Sequence, residues 1–273
     1  MNNRELLNYL HKELAKSPLA VKLAILLQNQ CRCIIKYHLN EDANFFYNGE
    51  AWLARLIAPN SSTFIDVGAN IGNWTSLFLE AAPKHIEGLL FEPSDYAIAK
   101  LKQRFEGLVN LSLIKAAVSD NIAEMSFFEE PEAGEMSSLV AGFSNSHATK
   151  KLVNATTLDA EVEKRKLGHI DFLKIDTEGY DLHVLRGASG LLSQHQIGVI
   201  QFEYGGAWAS AGSTLAAGYS LLESYDYQVL LLKSTGLFEL DYRTYGEYFC
   251  YSNFVAISPQ NQLKMKHLVK EKV

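Results

Sequence analysis

Phe64-Ile65-Asp66-Val67-Gly68-Ala69-Asn70-Ile71-Gly72-Asn73-Trp74-Thr75 decides the fold. Phe64, Ile65 and Val67 surround a single acid, and the apolar run stops at Gly68, the pattern of a buried parallel strand ending in a turn. In open α/β sheets ligands bind beyond the carboxyl ends of strands, where glycines let the backbone approach and the next helix offers free N–H groups. Gly68 and Gly72 suit such a junction. Asp66 at the strand's end suits a cationic amine, and Asn70 and Asn73 can donate or accept hydrogen bonds near the helix start.

The glycines here run Gly68-Ala69-Asn70-Ile71-Gly72, without the closely paired first two of the dinucleotide fingerprint GxGxxG, so a pyrophosphate is not the expected ligand. Gly88-Leu89-Leu90-Phe91 reads as the next strand and ends in Glu92-Pro93, twenty residues past Gly72. A carboxylate there can accept hydrogen bonds from both hydroxyls of a ribose. Nucleoside binding is therefore predicted without phosphate binding.

A second cluster follows in Ile170-Asp171-Phe172-Leu173-Lys174-Ile175-Asp176-Thr177-Glu178-Gly179. Phe172, Leu173 and Ile175 predict a strand, which sends Asp176 to the same rim as Asp66 and Glu92. Paired carboxylates at such a rim bind a hydroxyl, a metal or a cation, and one can take a proton. The competing reading is a salt bridge from Asp176 to Lys174 or Arg186. Gly198 to Phe202 predicts a further strand that brings Glu203 to the rim.

From Thr63 the chain alternates strand and helix, which predicts parallel strands joined by right-handed crossovers. Helices are expected over 73–82 and 95–106, the second capped by Ser94, and a third strand over 109–114. Ala116 and Ala117 follow, small enough to let a flat base lie against the backbone. Residues 121–150 interrupt the alternation: 125–128 can form a strand, and the Ser-, Gly- and Asn-rich remainder reads as a long surface excursion from which Ser137, Ser138 and His147 can reach a substrate. Strands over 228–232 and 253–257 are consistent with a hairpin closing one sheet edge, and the tyrosine-rich 242–251 suits a pocket wall or a packed edge. The lysine-rich tail from 258 reads as solvated.

The division expected is a helical extension over 1–58, a main domain over 59–258 and a tail over 259–273. In the extension, Leu6, Leu7, Leu10 and Leu14 recur at helical spacing, Ser17-Pro18 starts a second helix, and a third runs from Glu50 to Ile57. The net charge of −6 and pI near 5.8 disfavour binding of the molecule as a whole to nucleic acid or an anionic membrane, a local basic patch aside. Cys31, Cys33 and Cys250 lack the partners for a zinc site and read as buried reduced thiols. The apolar run Leu19 to Leu27 is broken by Lys22, so no membrane span is expected and the protein is placed in the cytoplasm.

Together, FIDVGANIGNWT, FEPS, AAVSD and KIDTEGYDLHVLRGA closely resemble the FkbM family of S-adenosylmethionine-dependent methyltransferases, over about residues 60 to 205. The resemblance implies an α/β fold with a Rossmann-like class I methyltransferase sheet, mostly parallel and seven-stranded with a C-terminal antiparallel hairpin. It also implies S-adenosyl-L-methionine as cofactor. On this likeness Asp66, Gly68, Asn70 and Gly72 surround the methionine end with Asn73 beside them, Glu92 takes the ribose hydroxyls, and Ala117 lies near adenine. Asp176 and Glu178 match the acidic segment beside the transferred methyl and are the expected catalytic pair, with Glu203 and His147 in reserve and no resident metal required. The implied reaction is O-methylation of a sugar, glycan or natural product. The expected partner is a small-molecule or carbohydrate acceptor, with a homodimer possible and no nucleic acid. The alternatives are a nicotinamide-dependent oxidoreductase and a non-catalytic S-adenosylmethionine-binding module.

Overall fold

The computed structural model describes residues 2–134, 136–145 and 147–273. It divides into two compact units, one ending at Glu41 and one running from Asp42 to Val273.

The first unit consists of α1 (Asn3–Leu14) and α2 (Pro18–His38). Asn2 and Glu5 form a reciprocal capping box on α1, and the Ser17 hydroxyl caps α2 ahead of Pro18. Neither helix buries a residue, so Cys31 and Cys33 are exposed free thiols where buried ones were expected, and only Cys250 is buried.

The second unit runs α3 (Glu50–Ile57), β1 (Thr63–Val67), α4 (Asn73–Ala81), β2 (Glu87–Phe91), α5 (Asp95–Arg104), β3 (Leu111–Ile114), β4 (Ala117–Val118), β5 (Ala123–Glu129), β6 (Thr149–Thr156), α6 (Leu158–Arg165), β7 (Ile170–Ile175), α7 (Asp181–Arg186), α8 (Ser189–Ser193), β8 (Ile197–Tyr204), α9 (Ala207–Ser210), α10 (Leu215–Glu223), β9 (Gln228–Lys233), β10 (Gly236–Phe238), α11 (Tyr242–Tyr245), β11 (Ser252–Ile257), α12 (Pro259–Met265) and β12 (Val269–Lys270). The expected α/β class is the one observed, but the main sheet has nine strands where seven were expected. Its main sheet has the order β12-β10-β9-β11-β8-β7-β1-β2-β3, parallel from β8 through β3, with β11 antiparallel between β8 and β9.

Register sets the functional rim. Val67 pairs with Phe91 and with Ile175, and Ile175 pairs with Phe202. The next residue of each strand or loop, Gly68, Glu92, Asp176 and Glu203, therefore stands at one level. One sheet face is sealed by aromatic packing: Phe64 lies 4.9 Å from Phe78, and Trp74 lies 5.1 Å from Phe78 and 5.5 Å from Phe172, between ring centroids. Each such buried side chain contributes about 1.5–3 kcal/mol. The α3 residues Leu53 and Ala54 join the same core.

Three expectations are corrected. The third strand starts at Leu111 because Val109 is 92% exposed and has no strand to pair with. The excursion is followed by a strand that was not expected: β6 pairs antiparallel with β5 and parallel with β4, making a three-stranded second sheet. β9 and β11 do not close the sheet, because β10 extends it by a hairpin and β12, in the tail expected to be solvated, adds the edge. Buried Met265 and half-buried Leu268 and Val269 tie that tail to the core.

Gly68 is needed for its backbone. It has φ +80°, and a Cβ there would lie 1.8 Å from the Asp176 carbonyl oxygen. Gly68→Ala is expected to destabilise the unit by more than the ~1–2 kcal/mol of a left-handed alanine, since the clash adds to it. Thermal unfolding checks this; an unshifted midpoint would show that the two loops are not in contact.

Candidate active site

The three loops that follow β1, β2 and β7 meet in a cleft of about 300 Å³. Hydrogen bonds hold them to one another. Gly68 and Ala69 N–H both donate to the Phe91 carbonyl, at 3.0 Å each, and Asp176 N–H donates to Val67 at 3.0 Å. The cleft wall includes Gly68, Asn70, Asn73, Glu92, Ala117, Asp176, Glu178 and Glu203.

Glu92 is 6% exposed, and its two oxygens accept from Asn70 N–H at 2.9 Å and Ser94 N–H at 2.8 Å. Burial pushes its carboxyl up to about 7, against the two backbone donors, which lower it. Such a carboxylate accepts further hydroxyl donors readily once ionised. Ala116, Ala117 and Val118 continue the wall beside it.

Asp66 stands elsewhere. It lies one residue before the strand's end, is wholly buried, and is level with Lys174 on the neighbouring strand. Its oxygens turn to the Thr75 hydroxyl and, at 3.9 Å, the Lys174 ammonium rather than to the cleft. Burial raises its pKa, and Lys174 and Thr75 oppose that shift. Gly72 also lies outside the wall: at φ +84° it starts α4, and a Cβ there would meet Phe105 and Leu101.

Lys174 is the buried cation of the site, 4% exposed. Burial lowers its pKa, but Asp176 at 2.8 Å and Asp66 more than offset this and raise it. The salt bridge weighed against a catalytic role for Asp176 is thus present, and Asp176 still reaches the cleft. Although burial raises the Asp176 pKa, Lys174 holds it below the usual carboxylate range.

Asp176, Glu178 and Glu203 have carboxylate oxygens within 4.8 Å of one another. Burial first, and then the Glu178, Asp176 and Asp181 charges, push Glu203 well above a normal glutamate. Asp181 behind them, buried at the start of α7, is likewise pushed up to about 7 by burial and by Asp176. Ser138 fixes the turn by donating to the Glu178 carbonyl at 2.7 Å, and Ser137 also lines the cleft, whereas His147 is exposed and is not on the wall.

Sequence reading missed the opposite wall. Glu50 is 6% exposed and accepts from Asn48 at 2.7 Å, Gln201 at 2.7 Å, Asn253 at 3.2 Å and the Tyr251 hydroxyl at 3.3 Å. Glu50 and Tyr251 line the cleft, as does Trp74, whose buried indole N–H donates to no acceptor among the described residues. The available signals were Gln201 and Lys174, polar residues set inside otherwise apolar strands. Of the tyrosine-rich segment only Tyr251 reaches the wall. Tyr242 instead joins Tyr204 on the Glu247 carboxylate, at 2.8 and 2.9 Å.

A model of the methyltransferase FkbM domain matches residues 66–229. No curated protein matches the chain. Among solved structures, a methyltransferase FkbM from Methylobacillus flagellatus KT is similar at 16% identity and a TM-score of 0.47, over 71% of this chain and 43% of that one. The chain thus spans less than half the length of that protein. A precorrin-6y C5,15-methyltransferase from Geobacter metallireducens GS-15 is similar at 11% identity and a TM-score of 0.42, over 76% of this chain and 87% of that one. An rRNA-methylase of Clostridium thermocellum described as putative is similar at 12% identity and a TM-score of 0.44, over 77% and 93% respectively.

Proposed function

The chain belongs to the FkbM methyltransferase family, and from that premise we propose that it methylates a hydroxyl of a sugar, glycan or hydroxylated natural product, with S-adenosyl-L-methionine as donor. The observation that carries this reading is the single level of Gly68, Glu92, Asp176 and Glu203 along four adjacent parallel strands. It supports a ribose-binding role for Glu92 and a proton-accepting role for Asp176 with Glu203, which line the same cleft. The fit to the cofactor rests on the glycine turn at Gly68, the buried Glu92 and the small Ala116–Ala117 wall; bound there, S-adenosylmethionine supplies a methyl group on an electrophilic sulfonium.

The chain's own residues do the rest. Glu92 accepts from the ribose hydroxyls, the Gly68–Asn70 turn holds the methionine end together with Asn73, and Ala117 lies against the base. Asp66 acts from behind the cleft by holding Lys174. Asp176 and Glu203 hold one proton and, with Lys174 beside them, accept a hydrogen bond from the acceptor hydroxyl. As the oxygen gains the methyl group its proton passes to this pair and then to water. Positioning of oxygen against methyl is the larger contribution, about 7–11 kcal/mol in favourable cases. Asp176-Thr177-Glu178-Gly179 lacks the Asn/Asp-Pro-Pro-aromatic segment of amino-directed enzymes, which supports oxygen as the target.

Incubation with methyl-labelled S-adenosylmethionine and a panel of glycans and small hydroxylated metabolites is expected to place label on a hydroxyl oxygen. Label on nitrogen would contradict the reading, and a cofactor that binds but is never turned over would point to a binding module. The grouping of Asp176, Glu178 and Glu203 favours a second version in which a divalent ion assists. Turnover that survives excess chelator excludes that version.

A further inference from the structure

Charge in this chain is segregated. Residues 1–41 carry six Lys or Arg and three acids, whereas 42–273 carry nineteen and twenty-eight, so a net −6 molecule has a positive N-terminal segment. From Ser17 to Asn40 there is no acid at all. Lys36 is paired with Glu41 at 2.7 Å, but Lys22 and Arg32 make no ion pair among the described residues.

The apolar residues of α2 are equally unusual, since none of its residues is buried. At 100° per residue, Ala20, Leu23, Leu27, Cys31 and Ile34 fall on one side and Lys22, Arg32 and Lys36 on the other, with Val21, Ile25 and Leu26 the apolar residues on the cationic side. Leu23, Leu27 and Ile34 are 57%, 56% and 71% exposed. α1 repeats the pattern with Leu6, Leu7, Leu10 and Leu14, all more than two-fifths exposed.

We propose that α2 binds the surface of an anionic lipid bilayer, lying in its plane with Leu23, Leu27 and Ile34 in the acyl boundary and Lys22 and Arg32 on the head groups. Charge complementarity selects this occupant. A second copy of the helix would cover the apolar side but, with no acid between Ser17 and Asn40, would leave Lys22 and Arg32 on the other side unanswered, whereas an anionic interface satisfies both. No helix among the described residues is long and apolar enough to cross a membrane, which fits a helix lying in the interface. The proposal goes beyond the methyl-transfer reading and does not depend on it.

The test is co-sedimentation of the full chain with phosphatidylcholine vesicles made with and without phosphatidylglycerol. Binding is expected only with phosphatidylglycerol, and it should fall as salt rises. The double variant Leu23→Glu, Leu27→Glu should lose it, and Lys22→Gln and Arg32→Gln should each weaken partitioning about fivefold. Retained binding heat with S-adenosylmethionine in every variant shows that the main unit is folded. Absence of sedimentation, or equal binding to both vesicles regardless of salt, overturns the proposal. So does a doubled solution mass that the Leu23→Glu, Leu27→Glu variant abolishes, because that assigns the face to a second copy.

Discussion

Asp176→Asn is expected to lower methyl transfer by about 10²–10⁴-fold, the range for loss of a positioned proton acceptor, while S-adenosylmethionine binding changes only a few-fold. Asparagine keeps the side chain's shape but cannot take the proton, and it removes the charge balance in which Lys174 lowers the Asp176 pKa while Asp176 helps raise that of Glu203. The change also costs stability, because Lys174 is buried and loses its nearer counter-charge. Asp66 at 3.9 Å remains, and Asp176 is a third exposed, so the loss stays below the ~3–5 kcal/mol of breaking a fully buried pair. Turnover under saturating cofactor, with thermal unfolding alongside, separates the two effects. Unchanged turnover removes Asp176 from the chemistry.

Glu92→Gln is expected to weaken cofactor binding by roughly a hundredfold, since two charge-assisted hydrogen bonds of about 1.5–3 kcal/mol each become neutral ones. The amide nitrogen also faces the Asn70 or Ser94 N–H that an oxygen now accepts. The pH dependence carries a sign. In the free protein the Glu92 carboxyl sits at about 7 because it is buried, and ribose hydroxyls bind its ionised form. Affinity in the unaltered protein should therefore rise with pH through about 7 and level off above it, whereas Glu92→Gln should be flat. Stability of the free fold runs the other way: a raised carboxyl contributes stability that is complete below about 4.5 and lost as pH rises through about 7. Asp181, also near 7, acts in the same direction. Calorimetric titration across this range decides the matter, and a pH-independent affinity would detach Glu92 from the ribose.

The rim was legible because it is written in strand ends. Apolar runs that stop at Gly68, at Glu92 and at Asp176 mark three parallel strands, and their register follows from the alternation of strand and helix. Asp66 misleads because a run of four residues does not say which one is the last in the strand; the true end is Val67, and alternation turns Asp66 inward to Lys174. The Glu50 wall was illegible for a different reason: its partners Gln201, Tyr251 and Asn253 lie about 150 to 200 residues away, and only the folded sheet brings them together. β6 was hidden because six of its eight residues, through Asn154, carry no buried side chain, leaving a pattern like that of a polar loop.

A crystal structure grown with S-adenosylhomocysteine tests the central assignment most directly. The ribose hydroxyls should lie on the Glu92 carboxylate, the amino-acid end against Gly68 to Asn70, the base beside Ala117 and the sulfur toward Asp176. A nucleoside bound away from this cleft, or one whose ribose turns from Glu92, would contradict it.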